Sequence, residues 1–566
     1  MAELIRDTAF GHLVRFVSRG KYLQFAEEKD PSIWTRYIDE KKSGYMAHHG
    51  DVEPPKGEDG ASEDVEMEGI GGVRTREART PSDQSSRTRV GEGEGDVNLA
   101  CGVRIDTEKG RDVHIVSWYG DDDPVYIGSS IYSAGTESVA ATFGVSTVAA
   151  TLGLSLFVAG YGLGPMLWSP MSEIPYVGSN PVYLGTLVVF VAFQVPTALA
   201  SNFGMLLAFR FLTGFFGSPV LATGGASMAD LYTPRKRAYA MSIWGISAVC
   251  GPTLGPLVGG FAVQYGPLKG GISAPWTWPI WELMWLSAFC LLFLFFFLPE
   301  TSATNILVRR TLRLRKLTGD QKLTCEPMLM ADGMSSHELV MMCLVRPITL
   351  NFHEPMVFLL NLYIALIYGL LYIWLESFVI VFIGIYHFSL ATEGLAYLGL
   401  FAGALAVIPP FFVYLRYGLE PRFDADGNVT AEERLLPACV GGFCIPIALF
   451  WFGWSAREDV HWIVPIIGTA FFTIGTFILF NSVLNYLPDA YPAHVASVLA
   501  GNDLMRSSFG AGFPLFASAM YTKLGVGWAS SLLGFLGLLF VPIPFVLYKY
   551  GGTLRKNHSK YARKDI

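Results

Sequence analysis

Apolar stretches long enough to cross a bilayer recur eleven times in this chain, near 148–168, 182–200, 203–228, 240–263, 280–298, 356–372, 394–414, 438–454, 462–484, 496–520 and 528–548. A run of about 20 such residues matches the hydrocarbon thickness of about 30 Å. In hydrocarbon every backbone N–H and C=O must be satisfied within the chain, so repeated runs of this length fold as a bundle of transmembrane helices. Composition agrees. Of the 566 residues, 51% are hydrophobic and 16% charged, too apolar for a soluble chain of this length. A twelfth candidate, 125–135, offers eleven residues before Glu137 and is too short to cross unaided.

Lysine and arginine set the direction of the bundle. Arg235, Lys236 and Arg237 share one loop. Arg309, Arg310, Arg313, Arg315, Lys316 and Lys322 lie in the long stretch 300–355, and Lys549, Arg555, Lys556, Lys560, Arg563 and Lys564 form the tail. All three fall on one side if the spans are as above, which makes that side the cytoplasm. The chain then divides into an N-terminal cytoplasmic region (1–120), a helical half (121–298), a cytoplasmic loop (299–355), a second helical half (356–548) and a cytoplasmic tail (549–566).

The N-terminal region has no apolar stretch of signal-peptide type, and 51–96, rich in Gly, Glu, Ser and Arg, is expected to be disordered. Residues 10–25 mix Phe, Leu, Val and Tyr with Arg15, Arg19 and Lys21; they read either as an element on the inner membrane face or as a solvated helix. The net charge of −7 comes mostly from the soluble ends, and no basic run with interleaved aromatics points to nucleic acid. The seven cysteines show no metal spacing.

One apolar run is unusual. From Trp244 to Gly260 it carries Gly245, Gly251, Pro252, Gly255, Pro256, Gly259 and Gly260. A soluble helix pays about 1 kcal/mol for each Gly and about 3 for each interior Pro. In lipid the pattern has a use: Gly251, Gly255 and Gly259 recur every fourth residue and bare one face for a neighbouring backbone, and the prolines favour a bend.

With these residues in view, the chain resembles the major facilitator superfamily, and within it the twelve-span fungal drug:proton antiporters. The Trp244–Gly260 run resembles the antiporter motif of the family's fifth helix. The stretch 160–173, with Gly160, Gly164, Pro165, Ser169, Pro170 and Glu173, resembles the signature closing helix two. Arg210-Phe-Leu-Thr-Gly214 resembles the helix-four motif, Leu298-Pro-Glu-Thr301 the end of helix six, and Trp118-Tyr-Gly-Asp-Asp-Asp-Pro124 the segment before helix one. The resemblance implies an all-α polytopic membrane protein with two six-helix halves and no enzymatic activity. Two departures stand out: the first helix is truncated, and Ser179 stands where the family usually has an arginine, which removes the basic residue expected to lock the loop between helices two and three.

No phosphate-cradling Gly-x-x-x-x-Gly-Lys-Ser/Thr occurs, so an ion gradient is the expected energy source and no cofactor is implied. Using a gradient requires ionisable groups inside the membrane, where each costs about 2.5–3.5 kcal/mol. Arg210, which resembles the family's coupling arginine, Glu376, and the neighbours Asp503 and Arg506 are the candidates for proton coupling. Asn361, Tyr363, Tyr368, Tyr372 and Trp374 are candidates for an aromatic substrate cavity. Asp230 and Glu173 are expected to anchor the helix ends at the cytoplasmic gate. His353 beside Glu354 reads as an interfacial cap.

The expectation is a proton-coupled exporter of small apolar organic compounds, namely drugs, fungicides or secondary metabolites. It is expected to be a plasma-membrane monomer with both termini cytoplasmic, its partners being substrate, protons and lipid. The rivals are proton-linked uptake of a nutrient or polyamine, and a non-transporting or disabled homologue with its first helix cut short.

Overall fold

The computed structural model describes residues 5–18, 21–29, 132–266, 275–332, 337–338, 341–424 and 427–564. The stretches 51–96 and 118–124, and most of 125–135, lie outside them. The chain divides into two units, residues 1–23 with 103–566, and residues 24–102. In the second, the described part is one turn, Ala26–Lys29, preceded by Phe25, whose N–H donates to the Glu28 carboxylate at 2.9 Å. Everything below concerns the first.

That unit is a helical bundle, with no strand among the described residues beyond one isolated bridge between Thr8 and Pro299. After a short N-terminal helix, α1 (Ala9–Val17), and the eight-residue α2 (Thr136–Phe143), come α3 (Thr147–Glu173) and α4 (Ser179–Ala198). Two stacked helices follow, α5 (Phe203–Gly217) and α6 (Pro219–Leu231), then α7 (Pro234–Tyr265) and α8 (Thr277–Phe297). A basic connecting helix, α9 (Ala303–Thr318), leads to the second half: α10 (Arg346–His353), α11 (Pro355–Phe378), α12 (Leu390–Ala396), α13 (Leu398–Tyr414), α14 (Leu436–Ser455), α15 (Ile463–Ala490), α16 (Val495–Phe540) and α17 (Pro542–Asn557).

Every one of the eleven apolar runs falls on these helices, and eight stretches among the described residues are long and apolar enough to cross a membrane. The last, Val495–Asn557, is 63 residues long and holds two of the expected spans; the chain reverses at Gly525, whose φ of 73° suits a residue without a Cβ. The span expected at 203–228 is broken at Ser218, where Pro219 begins a new helix. Ahead of α3, α2 is stopped by Gly144 (φ 63°) and, at eight residues, is about 12 Å long; the short first run expected at 125–135 lies mostly outside the described residues.

Local chemistry sets the helix ends away from the basic loops. Ser146 accepts from the Ala149 N–H at 3.2 Å, Asn202 from Met205 at 2.8 Å and Ser389 from Thr392 at 3.4 Å, each satisfying a donor that helix geometry leaves open. Packing between spans relies on small residues, as expected where no hydrophobic effect separates helix from lipid. A Cβ added at Gly160 or Gly164 of α3 would collide with the Phe211 carbonyl or with Ser218 Oγ, and one at Gly214 with the Phe157 carbonyl. Gly162 meets Ser507 of α16 in the same way, which brings the two halves into contact.

Candidate functional site

At the end of the bundle away from the basic loops lies a cavity of about 200 Å³. Its wall is shared by both halves: Glu137, Thr151 and Pro256 from the first, and Glu376, Glu393, Tyr397 and Pro514 from the second. Among the described residues the lining holds three carboxylates and no Lys, Arg or His. Glu376 reaches it from the last turn of α11; Glu393, only 3% exposed, comes from the first turn of α12 and shares a hydrogen bond with the Tyr397 hydroxyl one turn on. Glu393 is absent from the sequence-based candidates. An acidic residue in a first helical turn matches the ordinary surface preference set by the helix dipole. Its i, i+4 pairing with Tyr397 was the available signal.

Beneath the cavity the other candidates form a buried polar column. Arg210, 1% exposed, places its guanidinium carbon 4.4 Å from the ring centroids of both Tyr132 and Phe157, and its Nε donates to the Gly153 carbonyl at 3.2 Å. Its Nη2 has no hydrogen-bond acceptor among the described residues. Such an arginine between two rings, out of water, gains about 2 kcal/mol from cation–π attraction. Tyr132 also donates its hydroxyl to the Ala150 carbonyl at 3.2 Å, which fixes its ring over Arg210.

Tyr372 lies within electrostatic reach of Arg210 and contacts Tyr368, their hydroxyls 3.4 Å apart. Arg506 sits 5.2 Å over the Tyr368 ring and forms an ion pair with Asp503, both buried, while Asp503 Oδ2 and Arg506 Nε keep no hydrogen-bond partner among the described residues. Asn361 donates to Asn351 at 2.7 Å and accepts from Asn502 at 2.8 Å. Tyr363, Tyr372 and Trp374 are fully buried, Trp374 against Phe452 and Phe472. None of Asn361, Tyr363, Tyr368, Tyr372 and Trp374 lines the cavity; α11 presents Glu376 there instead, followed by Val379 and Ile380 just beyond its end.

The glycine–proline run forms part of one uninterrupted helix, α7. Pro256 lines the cavity, and a Cβ on Gly260 would stand 2.6 Å from the Leu390 carbonyl of α12. The reciprocal contact is Gly394, where a Cβ would lie 2.9 Å from Leu257 Cα. A Cβ on Gly245 would stand 3.1 Å from Asn481 Nδ2, while Gly251 and Gly259 are buried and Gly255 half-buried. The side chains of Pro252 and Asp230 lie outside the described residues.

The end of the bundle carrying the basic loops is closed by charge. Asp489 of α15 accepts from Arg237 of α7 at 2.8 Å and from Arg434 at 2.7 Å, and Arg434 donates again to the Pro234 carbonyl at 2.7 Å. Lys236 and Tyr239 of α7 donate to Glu420 at 2.9 and 3.1 Å. These bonds tie the first half to the second. The Ser169 hydroxyl is buried with no partner among the described residues, Pro165 and Pro170 are buried, and Glu173 is exposed.

The loop after α3 is held by Glu300. Its Oε1 accepts from the N–H groups of Ser179 (2.9 Å), Asn180 (3.3 Å), Thr301 (3.1 Å) and Ser302 (3.1 Å). Ser179 therefore contributes a helix N-terminal amide at the position where the resemblance leads one to expect an arginine. Glu354 is similarly buried, accepting from Tyr491 and from the Lys560 N–H, both at 3.0 Å, while His353 is exposed beside it.

Comparison with known proteins places this arrangement. Residues 125–514 match the model of the Major Facilitator Superfamily. "Transporter mfs1" of Schizosaccharomyces pombe is 42% identical over 81% of this chain and 91% of its own length. "Fluconazole resistance protein 1" of Saccharomyces cerevisiae is 43% identical over 77% of this chain and 78% of its own. Among solved structures, the proton:xylose symporter XylE bound to 6-bromo-6-deoxy-D-glucose is 15% identical, covers 75% of this chain and 92% of that one, and superposes with a TM-score of 0.52, a likeness of fold.

Proposed function

The chain belongs to the major facilitator superfamily, and from that premise we propose that it is a proton-driven exporter of small, mostly apolar organic compounds working by alternating access. The observation that carries the reading is the pair Glu376, half-buried, and Glu393, buried, two carboxylates from different helices in the wall of one cavity shared by both halves. With the basic loops cytoplasmic, that cavity faces outward and the Asp489 network forms the closed inner gate.

In this state protons entering the cavity load Glu376 and Glu393, which lowers the cost of burying them when the cavity closes. Closure moves the halves against each other along the seam of Gly162 with Ser507 and Gly260 with Leu390, and breaks the Arg237–Asp489 bond. The column of Arg210, Tyr372, Tyr368, Arg506 and Asp503 then becomes the floor that opens to the cytoplasm, where protons leave and substrate binds among the aromatic side chains of α11. Each elementary charge moved down 100 mV supplies about 2.3 kcal/mol for this work. The name of the relative linked to fluconazole resistance supports export of a drug-like molecule.

The test is accumulation of a labelled apolar dye in cells lacking or expressing the protein. An exporter lowers accumulation, and an uncoupler abolishes the difference. Accumulation raised by expression would identify uptake instead. No effect, with the protein present at the cell surface, would mark a chain disabled by its short first helix.

A further inference from the structure

The N-terminal helix α1 is fixed to the bundle yet leaves one apolar face unpartnered. Thr8 caps it, accepting from the Gly11 N–H at 3.1 Å, and pairs with Pro299; Asp7 accepts from the Glu300 N–H at 3.3 Å, and Arg309 Nη1 bonds His12 Nε2 at 2.9 Å. Gly11, His12 and Arg15 mark the side turned to the protein: Gly11 is buried and Arg15 donates to the Leu23 carbonyl.

The opposite side reads Phe10, Leu13, Val14, Val17, the i, i+3, i+4, i+7 pattern of a continuous apolar stripe, with Phe16 on its flank. Its first residue touches the membrane-spanning helix α8: the Phe10 ring centroid is 4.8 Å from that of Phe296 and 6.3 Å from that of Phe295. Phe293, Phe296 and Phe297 are exposed on α8, so they belong to its lipid-facing belt. The stripe thus starts on that belt, at the level where the span ends, and runs outward with Leu13 50%, Val17 74% and Phe16 83% exposed. Nearby charge is predominantly basic: beside Asp7 and the buried Glu300 stand Lys21, exposed, and Arg309, Arg310, Arg313, Arg315 and Lys316 on α9.

We infer that α1 is an interfacial helix, its Phe10–Leu13–Val17 stripe seated in the headgroup and upper acyl region of the leaflet on the side of the basic loops, which would draw anionic lipid. Continuity with a lipid-facing surface decides between the two readings the sequence allowed: a solvated helix has no reason to aim Leu13, Phe16 and Val17 along the same rim. Burial of apolar side chains plus attraction of cations to an anionic leaflet is the ordinary basis of such binding.

The experiment places a genetically encoded fluorescent amino acid at position 16 of the full-length protein, in vesicles of zwitterionic lipid with a minor anionic component. Position 16 is the most exposed of the three, so the label disturbs no packing. The inference predicts several-fold quenching by lipids with a nitroxide high on the acyl chain and little by aqueous iodide, and Leu13→Glu with Val17→Glu should reverse that preference. Strong quenching by iodide alone would overturn it in favour of a solvated helix. Protection from both quenchers would overturn it in favour of a protein partner, such as a second copy.

Discussion

Arg237→Gln isolates the energy of the seam at the end carrying the basic loops. Arg237 is the residue of the first half that reaches Asp489, at 2.8 Å, with both side chains near 10% exposed (12% and 10%), so solvent screening weakens the bond little. Asp489 keeps its bond to Arg434 at 2.7 Å in the variant, so no buried charge is orphaned and the second half should remain folded. What is lost is one charge-assisted hydrogen bond across the seam, worth about 1.5–3 kcal/mol. Since about 1.4 kcal/mol is tenfold in an equilibrium, the balance should move about 10- to 100-fold towards the state open at that end. A protein closed roughly 99:1 would come to roughly 3:1 for a shift near the middle of that range. Spin labels on Thr233 and Tyr417, exposed positions on opposite sides of the seam, report the two populations by distance. A distance distribution unchanged by the substitution, in a protein that still folds, would refute the claim that this bond holds the gate.

Other outcomes follow from the same geometry. Glu300→Ala removes the acceptor of four backbone N–H groups and should cost about 1–3 kcal/mol, lowering the melting temperature of the purified protein; an unchanged melting curve would show that the loop after α3 is held by something else. Gly260→Ala drives a Cβ against the Leu390 carbonyl, and overpacking of that kind costs about 1–3 kcal/mol; the expected result is reduced transport at normal surface expression, with Gly384→Ala, where a Cβ meets open space, as the silent control. Burial foremost, and then the Arg309 guanidinium, lowers the pKa of His12 below 6.5, so its neutral form is favoured by folding. The resulting stability is fully present above pH 6.5 and is lost as pH falls through the lowered pKa, so hydrogen exchange at the amides of α1 should accelerate on acidification. A rate that follows only the chemical exchange trend would count against the His12–Arg309 contact.

The architecture was largely legible because its cause is local: run length against bilayer thickness, and glycine or proline punctuation. The buried charged groups were legible only in part. Arg210, Glu376, Asp503 and Arg506 stand out because a charge inside an apolar run has no local excuse. Glu393, Asp489 and Glu300 do not, since each sits at the edge of a run, where acidic residues are ordinarily solvated. Their burial is a property of the assembled bundle: Glu393 is buried where α12 packs against α7 of the first half, Asp489 is bonded across the seam, and Glu300 caps a helix 120 residues earlier in the chain. The aromatic residues of α11 illustrate the converse. A periodic aromatic run marks a helix face facing protein, and cannot say whether that face meets a cavity or a neighbouring helix.

The central claim is that Glu376 and Glu393 couple protons to export. Purified protein in vesicles, loaded with a labelled apolar substrate and energised by a pH gradient, tests it directly. The account predicts gradient-driven transport by the native chain and its loss in Glu376→Gln with Glu393→Gln, while gradient-independent substrate exchange persists. Transport that still follows the pH gradient in the double variant would contradict it.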